Sequence, residues 1–222
     1  MGFNRRYDYN FRAVKEALLE KEIGSPHSVK VTSRDPAVPS IEYIKKSGGL
    51  FFDMTIHDYD MIRYIVGSEP TSIYAQGHCC INPEVEKSGD IDTAMCMINF
   101  ENKALAIIDN NRRSSYGYDQ RIEVFGDQGN ISTENDTDHT LKISNHQGVS
   151  QGKPKHFFLE RYREAYVDEV TEFIDRVLSD KPISTTGEDG YRAELLAHAA
   201  NRSWQEQRPV ELSEFAPDVY QR

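Results

Sequence analysis

The sequence predicts an α+β fold in which helices pack on one face of an open, mostly antiparallel β-sheet. Three observations predict it. Segments with the apolar period of a helix lie towards both ends of the chain, segments with a period of two follow one another in the middle, and short polar connections join those segments. Strands that follow each other without intervening helices favour antiparallel pairing, and the flanking helices then cover one face of the sheet.

The N-terminal third is predicted to mix helices with one strand. In chain order it contains a helix over residues 11–19, a strand over 28–33, a loop over 34–39, a short helix over 41–47 and a longer helix that ends near Gly67. Pro36 and Pro39 lie in the predicted loop because two prolines would interrupt a sheet ladder. The pair Gly48-Gly49 stops the short helix.

The middle of the chain is predicted to be strands, and its C-terminal part helices. The candidate strands cover residues 71–80, 92–100, 104–111, 120–126, 129–134 and 140–144. A polar, glycine-containing loop is expected over 146–155, and two long amphipathic helices over 162–178 and 189–207. No repeat or internal linker interrupts these elements, so a single domain over residues 1–222 is the simplest prediction.

The composition favours a globular protein and opposes two classes of partner. The chain has 222 residues, of which 38% are hydrophobic and 10% aromatic, and a formal net charge of −10. A surface that binds nucleic acid or an anionic membrane needs a basic patch, which this charge opposes. No apolar run reaches the length of about 18 residues typical of a membrane span, and no signal peptide opens the sequence, so we expect a cytoplasmic protein.

The cysteines favour a reducing compartment. Cys79, Cys80 and Cys96 are an odd number, and adjacent cysteines seldom bridge each other. His78 beside Cys79 and Cys80 suggests a metal, but the sequence lacks the second ligand pair of a zinc site. We therefore predict no metal, and a β-strand that carries small buried thiols.

The stretch from Gly48 to Asp60 carries the strongest chemical signal. On one continuous helix, at about 100° per residue, His57 and Asp60 each lie within about 40° of Asp53, whereas the apolar residues fill a separate, broad face. Such a stripe of titratable groups can hold a substrate hydroxyl and take its proton. A surface row of salt bridges with a helix-capping aspartate is the alternative that spacing alone leaves open.

Three segments of the chain resemble the glucose-fructose oxidoreductase/inositol dehydrogenase/MocA family, in particular its inositol 2-dehydrogenases. Residues 48–64 resemble their substrate-site helix. Residues 2–8 (Gly-Phe-Asn-Arg-Arg-Tyr-Asp) resemble the segment that leaves their nucleotide-binding domain, and residues 116–126, which begin Tyr-Gly-Tyr-Asp-Gln-Arg, resemble a strand-borne segment. The match runs in order from Gly2 to about Pro209.

The resemblance implies roles for eight residues. By position, His57 resembles the catalytic base that takes the proton of a secondary alcohol, and Asp53 its orienting partner. The implied substrate contacts are Asp60, Tyr116, Arg5 and Arg6, and a tyrosine beside the nicotinamide corresponds to Tyr162 or Tyr166. Structural alternatives stay open for some of them, because Tyr116 and Tyr118 can be two aromatics on one strand face and Arg5-Arg6 a solvated basic pair.

The chain departs from the family because it contains no Gly-x-Gly-x-x-Gly turn and no Glu-Lys-Pro segment, which belong to the family's N-terminal Rossmann domain. We therefore expect the substrate-binding half of an NAD- or NADP-dependent enzyme that oxidises a polyol or sugar, with residues 1–10 a remnant of the crossover between domains. By itself the chain is expected to be inactive and to bind no dinucleotide tightly. A non-catalytic assembly or sugar-binding module with an idle site is the alternative. The polyol, the choice between NAD and NADP and the status of Met1 as the natural start stay open.

Two predicted strands are apolar on both faces, which indicates an oligomer. Met95 and Met97 alternate with apolar residues of the opposite parity, and residues 105–108 are apolar throughout. A sheet with one solvated face would alternate apolar with polar residues. Because the helices cover one face, a second subunit is the simplest cover for the other, and we expect a homo-oligomer.

Overall fold

The structure is a computed structural model that describes residues 1–215. Besides 3-10 turns at Asn4–Tyr7 and Leu212–Glu214, its helices are α1 (Tyr9–Leu19), α2 (Ile41–Ser47), α3 (Leu50–Asp53), α4 (Ile56–Val66), α5 (Pro83–Lys87), α6 (Phe158–Arg161), α7 (Arg163–Leu178) and α8 (Gly187–Glu206). The four helices predicted outside the Asp/His stretch are confirmed to within two residues at each end. None of the helices within residues 1–215 has the length and apolar character needed to cross a membrane.

Seven strands form the main sheet. The strands are β1 (Pro26–Arg34), β2 (Pro70–His78), β3 (Thr93–Phe100), β4 (Leu105–Asn111), β5 (Asp119–Gly126), β6 (Asn130–Ser132), β7 (Lys142–Asn145), β8 (Gly148–Gln151) and β9 (Val210–Glu211). The main sheet has the order β6-β5-β1-β4-β3-β2-β9, and β7 and β8 form a separate hairpin. Among the strands of the main sheet within residues 1–215, only β1 and β4 pair in parallel, so the predicted α+β class with a mostly antiparallel sheet is confirmed.

One face of the sheet carries the hydrophobic core. In β3 every second residue is buried, beginning with Ala94 and ending with Phe100. Helices α4 and α8 lie over this face, α8 against β2 and α4. The other face exposes a set of large apolar side chains, namely Met95, Met97, Leu105, Ile107 and Phe125. The prediction that helices cover one face is therefore confirmed, and the second face is apolar as the strand pattern indicated.

The predicted Asp/His helix is broken in the structure. Helix α3 ends at Asp53 and α4 begins at Ile56, because the Thr55 N–H bonds to the carbonyl of Leu50, five residues back, and the Thr55 hydroxyl donates to Asn110 Oδ1 at 2.8 Å. Asp53 and His57 therefore lie on two helices, and the single stripe predicted from one helical wheel is wrong.

Three smaller predictions were also wrong. Tyr116 and Tyr118 precede β5 and do not share a strand face, since Tyr116 is exposed and Tyr118 is buried. Strand β2 ends at His78, so Cys79 and Cys80 lie in the following loop. The Asp92 carboxylate organises that loop by accepting backbone N–H bonds from Cys80, Ile81 and Asn82. The loop expected over 146–155 contains β8, and α5 and β9 were not predicted.

Candidate functional site

A cavity of about 730 Å³ lies beside the break between α3 and α4. Its walls come from the first 3-10 turn, the loop over residues 35–40 that follows β1, helices α2, α3 and α4, the approach to β5, and the segment over residues 156–166 that leads into α7. The side chains that line it include Arg5, Asp35, Asp53, His57, Tyr118, Tyr162 and Tyr166. A cavity of this size, with apolar walls and a few convergent polar groups, is typical of a small-molecule site.

His57 enters the cavity from the first turn of α4 as an unpaired imidazole. No hydrogen bond joins its ring to another residue within 1–215, and its Nδ1 is shielded from solvent without a partner. The ring meets Phe3 edge-on at 6.0 Å between centroids. Burial, together with the nearby positive charge of Arg5, lowers the pKa of His57 to about 3, so the ring is neutral near pH 7 and can accept a hydrogen bond or a proton.

Asp53 shares the cavity with His57 but forms its hydrogen bonds elsewhere. Its carboxylate accepts the Tyr43 hydroxyl at 2.6 Å and the Nη1 of Arg112 at 3.0 Å. Arg112 is fully buried between Asp53 and Asp90, and its Nη2 lies 3.6 Å from the Asp90 carboxylate. The structure brings Asp53 and His57 to one cavity, while the orientation of Asp53 comes from Tyr43 and Arg112.

A buried polar network lies behind His57. The guanidinium of Arg5 is hydrogen-bonded to the carboxylate of Asp58, the residue after His57, and its Nη2 reaches the Ser33 hydroxyl at 3.5 Å. Asn110 donates to the other Asp58 oxygen at 2.8 Å. Asp58 is completely buried, so this network fixes both the Arg5 charge and the first turn of α4.

Arg6 and Asp60 pair with each other away from the cavity. Arg6 donates to both Asp60 oxygens, at 2.9 and 2.6 Å, and to Asp189 of α8 at 2.9 Å. Neither Arg6 nor Asp60 belongs to the cavity wall. Of the two adjacent arginines, only Arg5 lines the cavity, because its neighbour turns to the start of α8.

Tyr116 also lies outside this cavity. Its hydroxyl donates to Asp119 at 2.5 Å and accepts from Arg34 at 3.1 Å, beside a second, smaller hollow of about 510 Å³. Tyr118 lies on the cavity wall instead, where its buried ring meets the ring of Tyr162 at 5.9 Å between centroids. Tyr162 and Tyr166 both line the cavity, and burial raises the pKa of Tyr162 to about 12.

Sequence reasoning missed Asp35, Tyr43 and Arg112. Burial raises the pKa of Asp35 to about 6, although Arg112 and Arg5 oppose the shift. Asp35 was assigned only to a proline-rich loop, although its place directly after β1 puts it at the end of a central strand, where ligand groups often gather. No sequence pattern pointed to Arg112 or Tyr43, because their role depends on hydrogen bonds to Asp53 that form only in the folded chain.

The donor set determines which cofactors the site can hold. Within residues 1–215 no group of three His, Cys, Asp or Glu side chains is arranged to hold a metal ion. The exposed ring of Tyr166 and the buried ring of Tyr162 give the cavity an aromatic side. No glycine-rich strand–turn–helix, the usual cradle of a dinucleotide pyrophosphate, occurs in this part of the chain.

A family model and several curated proteins match this chain. Residues 11–132 match the model of the GFO/IDH/MocA C-terminal domain. A myo-inositol 2-dehydrogenase of Thermotoga maritima is 49% identical over 213 residues, which are 96% of this chain and 64% of that protein. An inositol 2-dehydrogenase of Rhizobium meliloti is 41% identical over 96% of this chain and 64% of its own length. The chain thus spans less than two thirds of the curated relatives it matches.

Solved structures match the fold over the same range. A probable dehydrogenase from Thermotoga maritima superposes with a TM-score of 0.94 at 49% identity, covering 96% of this chain and 64% of that one. A scyllo-inositol dehydrogenase from Lactobacillus casei, solved with NAD(H) and scyllo-inositol, superposes with a TM-score of 0.88 at 28% identity over 96% of this chain and 64% of its own.

Proposed function

This chain belongs to the GFO/IDH/MocA family, with a match to the C-terminal domain of that family, and on this premise we propose that it is the substrate-binding half of an NAD-dependent polyol dehydrogenase. Its substrate is an inositol-type polyol, and the reaction oxidises one secondary alcohol of the ring. The relatives named inositol 2-dehydrogenases and the neighbour that holds NAD(H) and scyllo-inositol support this choice of substrate and cofactor.

The observation that carries the proposal is the unpaired imidazole of His57 in a cavity with two carboxylates. A structural histidine is normally satisfied by hydrogen bonds, whereas the His57 ring has none within the described chain. Asp53 and Asp35 line the same wall as acceptors, which suits a ligand with several hydroxyl groups, each a donor and an acceptor.

In the proposed reaction His57 accepts the hydroxyl proton of the alcohol that is oxidised. Burial, together with the Arg5 charge, lowers the pKa of His57 to about 3, so the imidazole is unprotonated near pH 7 and its free ring nitrogen can accept a hydrogen bond from that hydroxyl. The Arg5 charge that lowers this pKa also favours the negative charge that develops on the substrate oxygen. Asp58 holds Arg5 in place through the buried network.

Asp53 and Asp35 orient the ring of the substrate. Asp53 keeps a fixed position because Tyr43 and Arg112 donate to it, and it can accept a hydroxyl next to the reacting carbon. The chemistry that a bound nicotinamide supplies is acceptance of the hydride from that carbon. Tyr162 and Tyr166 are the residues of this chain that would flank the nicotinamide ring.

We also propose that two copies of the chain pair through the exposed sheet face. The apolar set around Met97 and Ile107, which face each other in the sheet register, supports this arrangement because large bare apolar patches are rare on monomers. Met97→Glu is expected to convert a dimer into a monomer in light scattering. A wild-type chain that is monomeric at micromolar concentration would contradict the pairing.

The three free cysteines, Cys79, Cys80 and Cys96, favour a reducing, cytoplasmic location.

A nuclear magnetic resonance titration with myo-inositol tests the substrate assignment on the chain itself. We expect the ring resonances of His57 to shift saturably, while those of His198, an exposed histidine of α8, stay unchanged. Cyclohexanol at the same concentration is the control, because it has the ring without the neighbouring hydroxyls. An absent or non-saturable shift at His57 would refute polyol binding in this cavity.

A further inference from the structure

The second hollow, of about 510 Å³, adjoins the cavity that contains His57. Pro36 and His156 line both spaces, so one ligand can extend from the cavity into the hollow. The proposed function uses the cavity and leaves the hollow without a role. Besides Tyr116, the polar side chains that line the hollow are those of Ser114, Ser115, Asp138, His139, Lys153 and His156.

The backbone around the second hollow is held by hydrogen bonds and by one close approach. The Tyr118 N–H donates to the carbonyl of Lys155 at 3.0 Å, and the Ser114 N–H donates to the carbonyl of Asp35 at 2.6 Å. Gly117 has a φ of +134°, and a Cβ at this residue would lie 2.7 Å from the carbonyl oxygen of Pro154. Only glycine fits such a position, so the segments that form the hollow are packed directly against each other.

The polar side chains of the hollow, in contrast, lack partners. Ser114 exposes 4% of its surface, and its hydroxyl is shielded from solvent without a hydrogen-bond partner. Within residues 1–215, no hydrogen bond or ion pair involves the ammonium group of Lys153 or the rings of His139 and His156. Because buried polar groups are normally hydrogen-bonded, the Ser114 hydroxyl supports a ligand group at this place.

We propose that the second hollow binds a phosphate group. Donors predominate among its lining side chains, since the ammonium group of Lys153, two imidazole rings and two serine hydroxyls stand against the single carboxylate of Asp138. A phosphate monoester carries a charge of about −1.5 to −2 near pH 7 and three strong acceptor oxygens, which suit this set of donors. The charge of Lys153 attracts the phosphate and offsets that of Asp138.

The phosphate belongs to the substrate, an inference that rests on the proposed function. A polyol ring in the cavity can direct a phosphate substituent past Pro36 and His156 into the hollow, because these two residues line both spaces. The second contact is then intramolecular, which strengthens binding without any new group on the protein. Inorganic phosphate would occupy the hollow without this gain. The substrate class is therefore a monophosphate of an inositol-type polyol.

The test is a set of calorimetric titrations of the full 222-residue chain. The ligands are myo-inositol, inorganic phosphate, myo-inositol 1-phosphate and myo-inositol 4-phosphate. At least one of the two monophosphates is expected to bind with a dissociation constant about tenfold lower than those of myo-inositol and inorganic phosphate, since a hydrogen bond to a charged group contributes about 1.5–3 kcal/mol.

Three variants examine the charge of the occupant. Lys153→Ala should raise the dissociation constant of the monophosphate about tenfold, because it removes a charged donor. Asp138→Asn should lower the constant about threefold, because it removes a like charge from the same hollow. Lys142→Ala is the control: it removes a positive charge from strand β7, outside the hollow, and should change the constant less than about twofold. Far-ultraviolet circular dichroism checks that the variants keep their secondary structure.

The outcomes separate the phosphate site from the proposed function. Equal constants for the wild type and Lys153→Ala, or weaker binding in Asp138→Asn, overturn the phosphate site, and the latter assigns the hollow to a neutral hydroxylated group. Inorganic phosphate that binds as tightly as both monophosphates overturns the assignment to the substrate. A monophosphate that needs Lys153, in a chain whose His57 resonances respond to no polyol, leaves the phosphate site standing and contradicts the proposed function. A saturable His57 shift with myo-inositol, without any gain from the phosphate, does the reverse.

Discussion

The two long C-terminal helices, α7 and α8, have similar amphipathic sequences and opposite surroundings. The apolar side of α8 is buried on β2 and α4 through Ala193, Leu196, Ala197 and Ala200, whereas the apolar side of α7 is exposed along most of its length. An amphipathic sequence therefore tells which side of a helix needs cover. It does not tell whether the same chain supplies that cover.

The same contrast divides two neighbouring residues at the cavity. Asp58 is buried, and both of its oxygens have partners in Arg5 and Asn110. His57, the residue before it, has an unpaired ring at the cavity wall. The apolar side of α8 and the carboxylate of Asp58 therefore have their partners within this chain. The apolar side of α7 is exposed, and the ring nitrogens of His57 have no hydrogen-bond partner within residues 1–215.

The largest effect on stability is expected where the complete region loses a charge partner. Asp58→Ala leaves the guanidinium of Arg5 buried without its carboxylate, which typically costs about 3–5 kcal/mol. Chemical denaturation measures the change in the free energy of unfolding. His57→Asn, one position away, is the matched control and should change stability little. Similar losses in the free energy of unfolding for both variants would contradict the difference described between Asp58 and His57.

Truncation of one apolar side chain on each helix, Leu196→Ala on α8 and Val170→Ala on α7, compares how much each helix contributes to stability. Leu196 is completely buried, so its truncation should lower the free energy of unfolding by about 2–5 kcal/mol. Val170 is 57% exposed, and its truncation should change the free energy by less than about 0.5 kcal/mol. A loss of more than about 1.5 kcal/mol in Val170→Ala, three times the expected limit, would mean that α7 is covered within the chain.

The pH dependence of stability gives a smaller effect that is specific to His57. The unfolded chain protonates this residue below its ordinary pKa of 6.5, whereas the folded chain holds the pKa at about 3. Acid therefore favours the unfolded state, and the wild type should lose stability as the pH falls from 6.5 towards 3. His57→Gln should lose less over the same window in urea titrations. Parallel curves for the two proteins would show that the imidazole is accessible to protons in the folded state.

The sequence predicted the fold better than the site. Period-two and helical patterns located the strands and long helices, because those patterns reflect which side of an element is buried. The helical wheel failed at Thr55, where a hydrogen bond to Asn110, far along the chain, breaks the helix between Asp53 and His57. Arg6 and Asp60 were assigned to the substrate but pair with each other, since a charge pattern cannot show its partner. Asp35 went unnoticed because the cavity it faces forms only on folding.

In the proposed function, His57 is the proton acceptor of a polyol dehydrogenase that this chain forms together with a nucleotide-binding domain. The most direct measurement is the rate of NADH formation from NAD⁺ and myo-inositol by the chain and the part of the Thermotoga maritima relative that this chain does not match, produced as a separate protein. His57→Asn should lower this rate by about 10²–10⁴-fold without changing the affinity between the two proteins. His198→Asn, at an exposed histidine of α8, should keep the wild-type rate. A His57→Asn rate close to that of the wild type would contradict the account.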